Sequence, residues 1–422
     1  MSAMERARIM FRYADLLEAN MEELAALEAL DNGKPWHVAK AADMTLLHRN
    51  IRYHAGWADK IHGQVIPTPG PFFQYTREEA VGVCAQIIPW NFPALMMAWK
   101  IGPALAAGCT TIVKPAEQTP LSALRMAELS VEAGFPDGVI NVLPGFADVG
   151  QALSRHARVD KVAFTGSTAV GYDIMRNSHV HNLKRITLEL GGKSANIIMD
   201  DADLDAAIEQ AHTGLFFNAG ACCIAGSRLF VHEKIHDEFV EKSIAKAKNM
   251  KLGNQFDLTT DQGPQVDKDQ MDNILRYVET GKAEGAELHM GGARHGDKGY
   301  FVEPTVFSGV TDDMTIAKEE IFGPVMSIMK FSDVDEVIER ANNSSYGLGA
   351  GLMTKSLDTA MHVSNALRVG TVYVNTFDVF SETTTFGGFK DSGIGRELAD
   401  SGIKNYQETK NVIIKMNDKT LP

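Results

Sequence analysis

The chain has 422 residues, 45% hydrophobic and 23% charged, with a formal net charge of −13. That length exceeds one compact core and implies two or three packed units of an ordinary globular protein. The acidic balance, without any Lys/Arg-rich run, excludes a nucleic-acid partner, and no apolar stretch is long enough to cross a membrane. The four cysteines are Cys84, Cys109 and the adjacent Cys222 and Cys223. They make neither a disulfide framework nor a CxxC metal pair, which points to a reducing compartment and to no metal site.

The chain opens on a helix, because Ser2 and Glu5 have the spacing of a capping box. Ile9, Met10, Tyr13, Leu16, Leu17, Leu24, Leu27 and Leu30 continue it at helical spacing until Asn32-Gly33 and Pro35. A second helical pattern runs to about Ile61. Residues 64–80, with Pro67, Pro69, Gly70 and Pro71, read as an extended excursion. From Val81 strands alternate with helices: strands at Val81–Ile88, Thr110–Lys114, Val139–Val142 and Val162–Thr165, and helices at Pro93–Ala107, Pro120–Ala133 and from Ser167. Arg185–Glu189 is a further strand. A second alternating block has strands at Ala195–Met199, Arg228–Val231, Glu287–Met290, Val325–Lys330, Gly349–Met353 and Thr371–Asn375. Helical runs near 203–217, 234–250, 266–284, 334–342 and 356–367 separate them. Such alternation means parallel open sheets covered by helices, with ligands at the carboxyl ends of the strands. The apolar run Val412–Lys415 has no obvious partner; with 64–80 it forms either an arm that pairs with another subunit or a terminal strand on its own sheet.

Two glycine-marked loops carry the parts of covalent carbonyl chemistry. Cys223 lies in Phe216-Phe217-Asn218-Ala219-Gly220-Ala221-Cys222-Cys223-Ile224-Ala225-Gly226, and Glu189 precedes Leu190-Gly191-Gly192-Lys193. A thiolate attacks a carbonyl carbon, and a carboxylate activates the water that releases the acyl group. Most cysteines are merely small buried hydrophobes, and Cys222 is a rival nucleophile. Lys193-Ser194 imitates the end of a phosphate loop, but Thr187 stands where that loop needs its first glycine. In Pro89-Trp90-Asn91-Phe92-Pro93 the Asn91 amide is either a turn residue or an oxyanion donor. Lys114 and Glu117 at one strand end make either a surface ion pair or a grip on ribose hydroxyls. Phe164-Thr165-Gly166-Ser167-Thr168 leads from strand into helix, a place suited to a pyrophosphate, although the full GxGxxG spacing is missing. Phe92, Met96, Trp99, Phe217 and Phe380 are either core or the walls of an apolar tunnel.

In their order and over almost the whole chain, these motifs, with Glu319-Glu320-Ile321-Phe322-Gly323-Pro324 and Phe386-Gly387-Gly388-Phe389, resemble the NAD(P)-dependent aldehyde dehydrogenases. The likeness is to the tetrameric mitochondrial and cytosolic enzymes. The resemblance implies an α/β fold of two parallel open-sheet domains, a Rossmann-like cofactor domain and a catalytic domain, with a small β oligomerisation arm. It divides the chain into a cofactor domain of residues 1–61 and 82–189, a catalytic domain of 190–391, and an arm of 62–81 and 405–422. It implies Cys223 as nucleophile, Glu189 as general base, Asn91 as oxyanion donor, and Lys100 with Glu397 as a proton relay. For the cofactor NAD it implies Lys114 and Glu117 at the adenosine ribose, Gly166 and Ser167 at the pyrophosphate, and Glu320 and Phe322 at the nicotinamide end. Ile87, Ile88, Trp90 and Gly191 would lie along it. The implied reaction turns a small apolar aldehyde into a carboxylic acid through a thiohemiacetal and a thioester on the cysteine. A homo-oligomer, dimer or tetramer, in the cytoplasm or mitochondrial matrix goes with that reading.

The chain departs from the family pattern in two respects. Members usually carry further strands before the helix at Ser2, so an uncovered sheet edge is expected. Ala221 stands where the family usually has Gln or Glu, and Ala219 where it often has Gln. These departures motivate an alternative, a catalytically weak structural or binding protein of the same family, like the omega-crystallins.

Overall fold

The computed structural model describes residues 1–417. Three sheets organise the chain. One has six strands, in the order Gly393–Ile394, Arg185–Glu189, Lys161–Thr165, Val83–Ile87, Thr110–Lys114 and Ile140–Val142; only the first pairs antiparallel to its neighbour. The second has seven: Glu287–Met290, Thr305–Ser308, Val325–Phe331, Arg228–His232, Ala195–Ile198, Gly349–Met353 and Thr371–Val374. Six of these run parallel, and Glu287–Met290 joins the edge antiparallel. The third is a small antiparallel sheet of Val65–Ile66, Phe72–Ala80 and Gln407–Lys415.

The six-stranded sheet reverses its order beside Val83–Ile87. The chain proceeds from that strand to Thr110–Lys114 and Ile140–Val142 on one side, then returns to Lys161–Thr165 on the other. The two helices that leave the sheet there open a crevice at the strands' carboxyl ends, the place where open α/β sheets take ligands. One of them, Pro93–Ala107, has proline in its first turn and ends on Gly108 at φ 94°. All fifteen of its residues are buried, so it is a core element rather than a surface helix. Helix Thr45–Ala55 packs so closely on it that a Cβ at Gly102 would lie 2.8 Å from Asn50 Oδ1.

The expected helix over residues 3–30 is two helices, Ala3–Ala19 and Met21–Asn32, hinged at Asn20. The Ser2–Glu5 capping box is present. The hinge re-phases the apolar face: Leu30 is 59% exposed while Glu28 is completely buried. The second helical pattern ends at Ala55 rather than near Ile61 and contains a π-helical turn, Ala39–Met44. Strands Thr305–Ser308 and Gly393–Ile394 were not legible: the first is four buried residues after a proline without alternation, and the second is only two residues long. Gln407–Lys415 does have a partner within the chain, pairing in register with all of Phe72–Ala80. Residues 418–422 of the expected arm lie outside the described residues. No helix among the described residues is long and apolar enough to cross a membrane.

Candidate active site

A cavity of about 1010 Å³ runs from the carboxyl ends of the six-stranded sheet to the loops of the seven-stranded one. Cys223 and Glu189 both line it. Glu189 is the last residue of its strand, and the glycines that follow let the nucleophile loop close over it. A Cβ on Gly192 would sit 2.3 Å from the Cys223 carbonyl oxygen. The loop itself turns through three left-handed residues, Asn218 at φ 52°, Ala219 at 54° and Gly220 at 76°. Left-handed backbone costs a non-glycine residue about 1–2 kcal/mol, a strain held by the surrounding packing. At Gly220 no side chain fits, since its Cβ would lie 2.1 Å from the Gly323 carbonyl oxygen.

The two cysteines differ in setting. Cys222 is buried, and both its hydrogen bond to Cys223 and its burial push its thiol pKa up; Cys223 is the more exposed of the pair. Reaction needs an accessible thiolate, so the surroundings favour Cys223. Glu189 is 5% exposed and Oε2 has no hydrogen-bond partner. Burial, then repulsion from Glu397, holds its carboxyl well above the usual carboxylate range, while Lys100 pulls it the other way. Behind it Lys100 Nζ meets Glu397 Oε1 at 2.5 Å in a nearly dry ion pair. Glu397 reaches the cavity; Lys100 does not line it and stands behind Glu397.

Asn91 also lines the cavity. Its Nδ2 donates to the Ala221 carbonyl at 3.0 Å, which leaves the amide's second N–H free of that bond. On the same side lie the aromatic walls. Phe92 and Phe217 stack with centroids 6.0 Å apart, and Trp99 meets Phe380 at 6.2 Å and Phe386 at 5.2 Å. Met96 completes this apolar end. Asp378, which sequence reasoning passed over, lines it too; both its carboxyl oxygens are buried without partners, and burial pushes its pKa up to about 8.

The opposite end follows the six-stranded sheet. Ile87 and Ile88 end its central strand, and Lys114 bonds Glu117 at 3.0 Å just past the next one. Gly166 and Ser167 border the same end, and Ser167 caps the helix Thr168–Asn177 with an acceptor for the Val170 N–H. Between the two ends Trp90 packs edge-on against Phe322 at 5.2 Å. Beside them Glu320 accepts the Gly192 N–H at 3.0 Å and is pushed up to about 7 by burial. Gly191 gives it room, since a Cβ there would lie 2.1 Å from Glu320 Oε2. These groups fit a dinucleotide: hydroxyl acceptors at two places, a capped helix N-terminus for a pyrophosphate, and aromatic faces between.

Sequence reasoning also missed Gln270, which lines the cavity and donates to the Phe322 carbonyl at 2.7 Å. Asn32, Lys34 and Asp43, close behind Asn91, were missed as well. Gln270 and Asp43 lie in helical runs, and the Asn32-Gly33-Lys34-Pro35 turn reads in the sequence only as a helix stop.

Two open α/β sheets sharing a cleft that holds an accessible thiol and a buried carboxyl make an α/β arrangement with the parts for chemistry through a covalent cysteine. The chain belongs to the aldehyde dehydrogenase family, whose model matches residues 1–412. It is 58% identical to the mitochondrial aldehyde dehydrogenase of Homo sapiens over 420 residues, 99% of this chain and 81% of that one. It is 55% identical to retinal dehydrogenase 2 of Gallus gallus, with the same coverage. A solved NAD+ complex of aldehyde dehydrogenase from Bacillus cereus superposes with a TM-score of 0.97 at 53% identity, covering 99% of this chain and 85% of that one.

Proposed function

We propose that this chain oxidises a small apolar aldehyde to the carboxylic acid with NAD as hydride acceptor. The observation that carries the reading is the single cavity joining Cys223 and Glu189 to the carboxyl ends of the six-stranded sheet. The Cys223 sulfur adds to the carbonyl carbon and the C=O electron pair moves onto oxygen. Asn91 and the Cys223 backbone N–H donate to that oxygen, where charge develops. Lys114, Glu117, Gly166, Ser167 and Glu320 would hold NAD, which would supply the acceptor for the hydride that leaves the adduct carbon as C=O re-forms. What remains on Cys223 is a thioester. Glu189 accepts a proton from water, the water oxygen attacks the acyl carbon, and the sulfur leaves. Glu397 with Lys100 passes that proton onward. The aromatic walls favour an apolar aldehyde through burial of its chain. The relatives are named dehydrogenases, and an intact pairing of thiol and carboxyl favours the enzyme over the structural-protein alternative.

The proposed division is a cofactor domain of residues 1–61 and 82–189, a catalytic domain of 190–391, and an arm of 62–81 and 405–422. The arm exposes Val65, Phe73, Ile413 and Ile414 on one small sheet, which supports a homo-oligomer, dimer or tetramer. Ile413→Glu is expected to lower the mass seen by sedimentation; an unchanged mass would remove the arm from the interface. Four free cysteines and mitochondrial relatives support a reducing compartment, the cytoplasm or mitochondrial matrix.

Absorbance of reduced cofactor tests the function. Straight-chain aldehydes give NADH, and NADP serves poorly because Glu117 repels a 2′-phosphate. Glu117→Gln shifts the NADP-to-NAD ratio of kcat/KM upward by about tenfold, a change of about 1.4 kcal/mol. No reduced cofactor from any aldehyde of the series would overturn the reading.

A further inference from the structure

A buried charged cluster lies directly behind the Trp90-Asn91-Phe92 turn, and none of its members belongs to the machinery described above. Lys34 Nζ donates to the Asn91 carbonyl at 3.1 Å, and Asn32 Nδ2 donates to the Trp90 carbonyl at 2.7 Å. The Lys34 ammonium lies 4.1 Å from the Phe92 ring centroid. Its partners are Asp43, in a short contact, and Glu28 at 3.7 Å. Glu28 also accepts the Ala94 N–H at 3.0 Å, in the first turn of helix Pro93–Ala107. All three charged side chains are within 1% of complete burial.

Three irregularities put them there: the hinge at Asn20 that turns Glu28 inward, the Gly33 end of helix Met21–Asn32, and the π-helical turn that carries Asp43. π-turns are frequent at functional sites. A buried lysine shared by two carboxyls gains little stability over apolar side chains of the same size. What the cluster does accomplish is to fix the backbone on both sides of the Asn91 Cα. Asn32 Nδ2 also reaches the Asn91 carbonyl at 3.5 Å, and from the other side Asn218 Nδ2 donates to it at 3.0 Å, from the nucleophile loop itself. Asn91 is therefore clamped between the cluster and the loop that carries Cys223.

We infer that Lys34, held by Asp43 and Glu28, is a positioning residue that sets the aim of the Asn91 amide at the oxygen of the covalent adduct. The inference rests on Asn91 being an oxyanion donor. A displacement of about 1 Å in such a donor costs on the order of a hundredfold in rate. Removing the donor outright costs about a hundredfold to a thousandfold.

An activated ester, p-nitrophenyl acetate, acylates the cysteine with no hydride acceptor and develops charge on the same oxygen. The burst of p-nitrophenolate is read for wild type, Lys34→Met, Asn91→Ala and the double variant. Lys34→Met/Asp43→Leu, which replaces the ion pair by apolar groups, serves if Lys34→Met does not fold. The expected result is a fall of about ten- to a hundredfold for either Lys34 variant in wild type, shrinking below about threefold when Asn91 is already alanine. A cluster that merely supports the fold would lower thermal stability and act equally in both backgrounds, which would overturn the inference. So would a wild-type burst for the Lys34 variants beside a slow Asn91→Ala, leaving Asn91 as the donor. A fast Asn91→Ala burst would overturn both.

Discussion

Cys223→Ser abolishes aldehyde oxidation, with kcat falling by at least about a thousandfold, while NAD still binds. A hydroxyl in this loop has no base placed to ionise it. Glu189 lines the same cavity, and its proton acceptance is assigned to the water of the release step rather than to the side chain at position 223. A free thiol already has a small thiolate fraction near neutral pH, which an alcohol lacks, and sulfur therefore suits this position better than oxygen. NAD binding is unaffected because the groups proposed to hold it belong to the carboxyl ends of the six-stranded sheet and to Glu320, not to the nucleophile loop. Stopped-flow absorbance for turnover and quenching of tryptophan fluorescence for binding check the two halves separately. Cys222→Ser in parallel keeps most of its activity, because the buried Cys222 thiol is pushed toward its neutral form. Equal activity of Cys223→Ser and wild type would refute the nucleophile assignment.

Glu189→Gln separates the two halves of the reaction. Gln keeps the shape of the side chain and its place at the strand end but accepts no proton. Thioester formation still occurs, so the first burst of NADH is retained. Steady-state turnover falls by about a hundredfold to ten-thousandfold, the usual worth of a positioned base. The pH dependence follows from the direction of the Glu189 shift. The base acts only when ionised, and burial with the Glu397 charge raises the pH at which that happens. Hydrolysis of the thioester in wild type therefore climbs with pH through the region above ordinary carboxylate titration. It levels off once Glu189 is ionised. In Glu189→Gln this rise is lost. A variant whose burst disappears along with its turnover would place Glu189 in the attack step instead.

Much of the fold was legible because its strands are short apolar runs bounded by glycine or proline. Pro93–Ala107, Thr110–Lys114, Glu287–Met290 and Gly349–Met353 lie where their patterns predict. Cys223 and Glu189 stood out because backbone must approach backbone there, and glycine marks such places in a sequence. Glu28 and Asp43 were invisible for the opposite reason. Their inward direction comes from a hinge and a π-turn, which shift the helical phase without leaving a compositional trace. The pairing of Gln407–Lys415 with Phe72–Ala80 joins segments from the two ends of the chain. Both strands are mostly half-exposed or exposed, so neither shows the alternation that would announce a partner. Asp378 sits at φ 54° three residues beyond a pattern that reads as the end of a strand, and only the closing of the cavity around it makes its burial evident.

The central claim is a covalent acyl group on one particular sulfur, and the Glu189→Gln variant makes it observable because release is slowed. After a single turnover with NAD and a small aldehyde, the protein is quenched in acid, digested, and its cysteine peptides are weighed. The expected result is an acyl group on Cys223, formed only when NAD is present. An acyl group on Cys222, or NADH formed with no acylated cysteine at all, would contradict it.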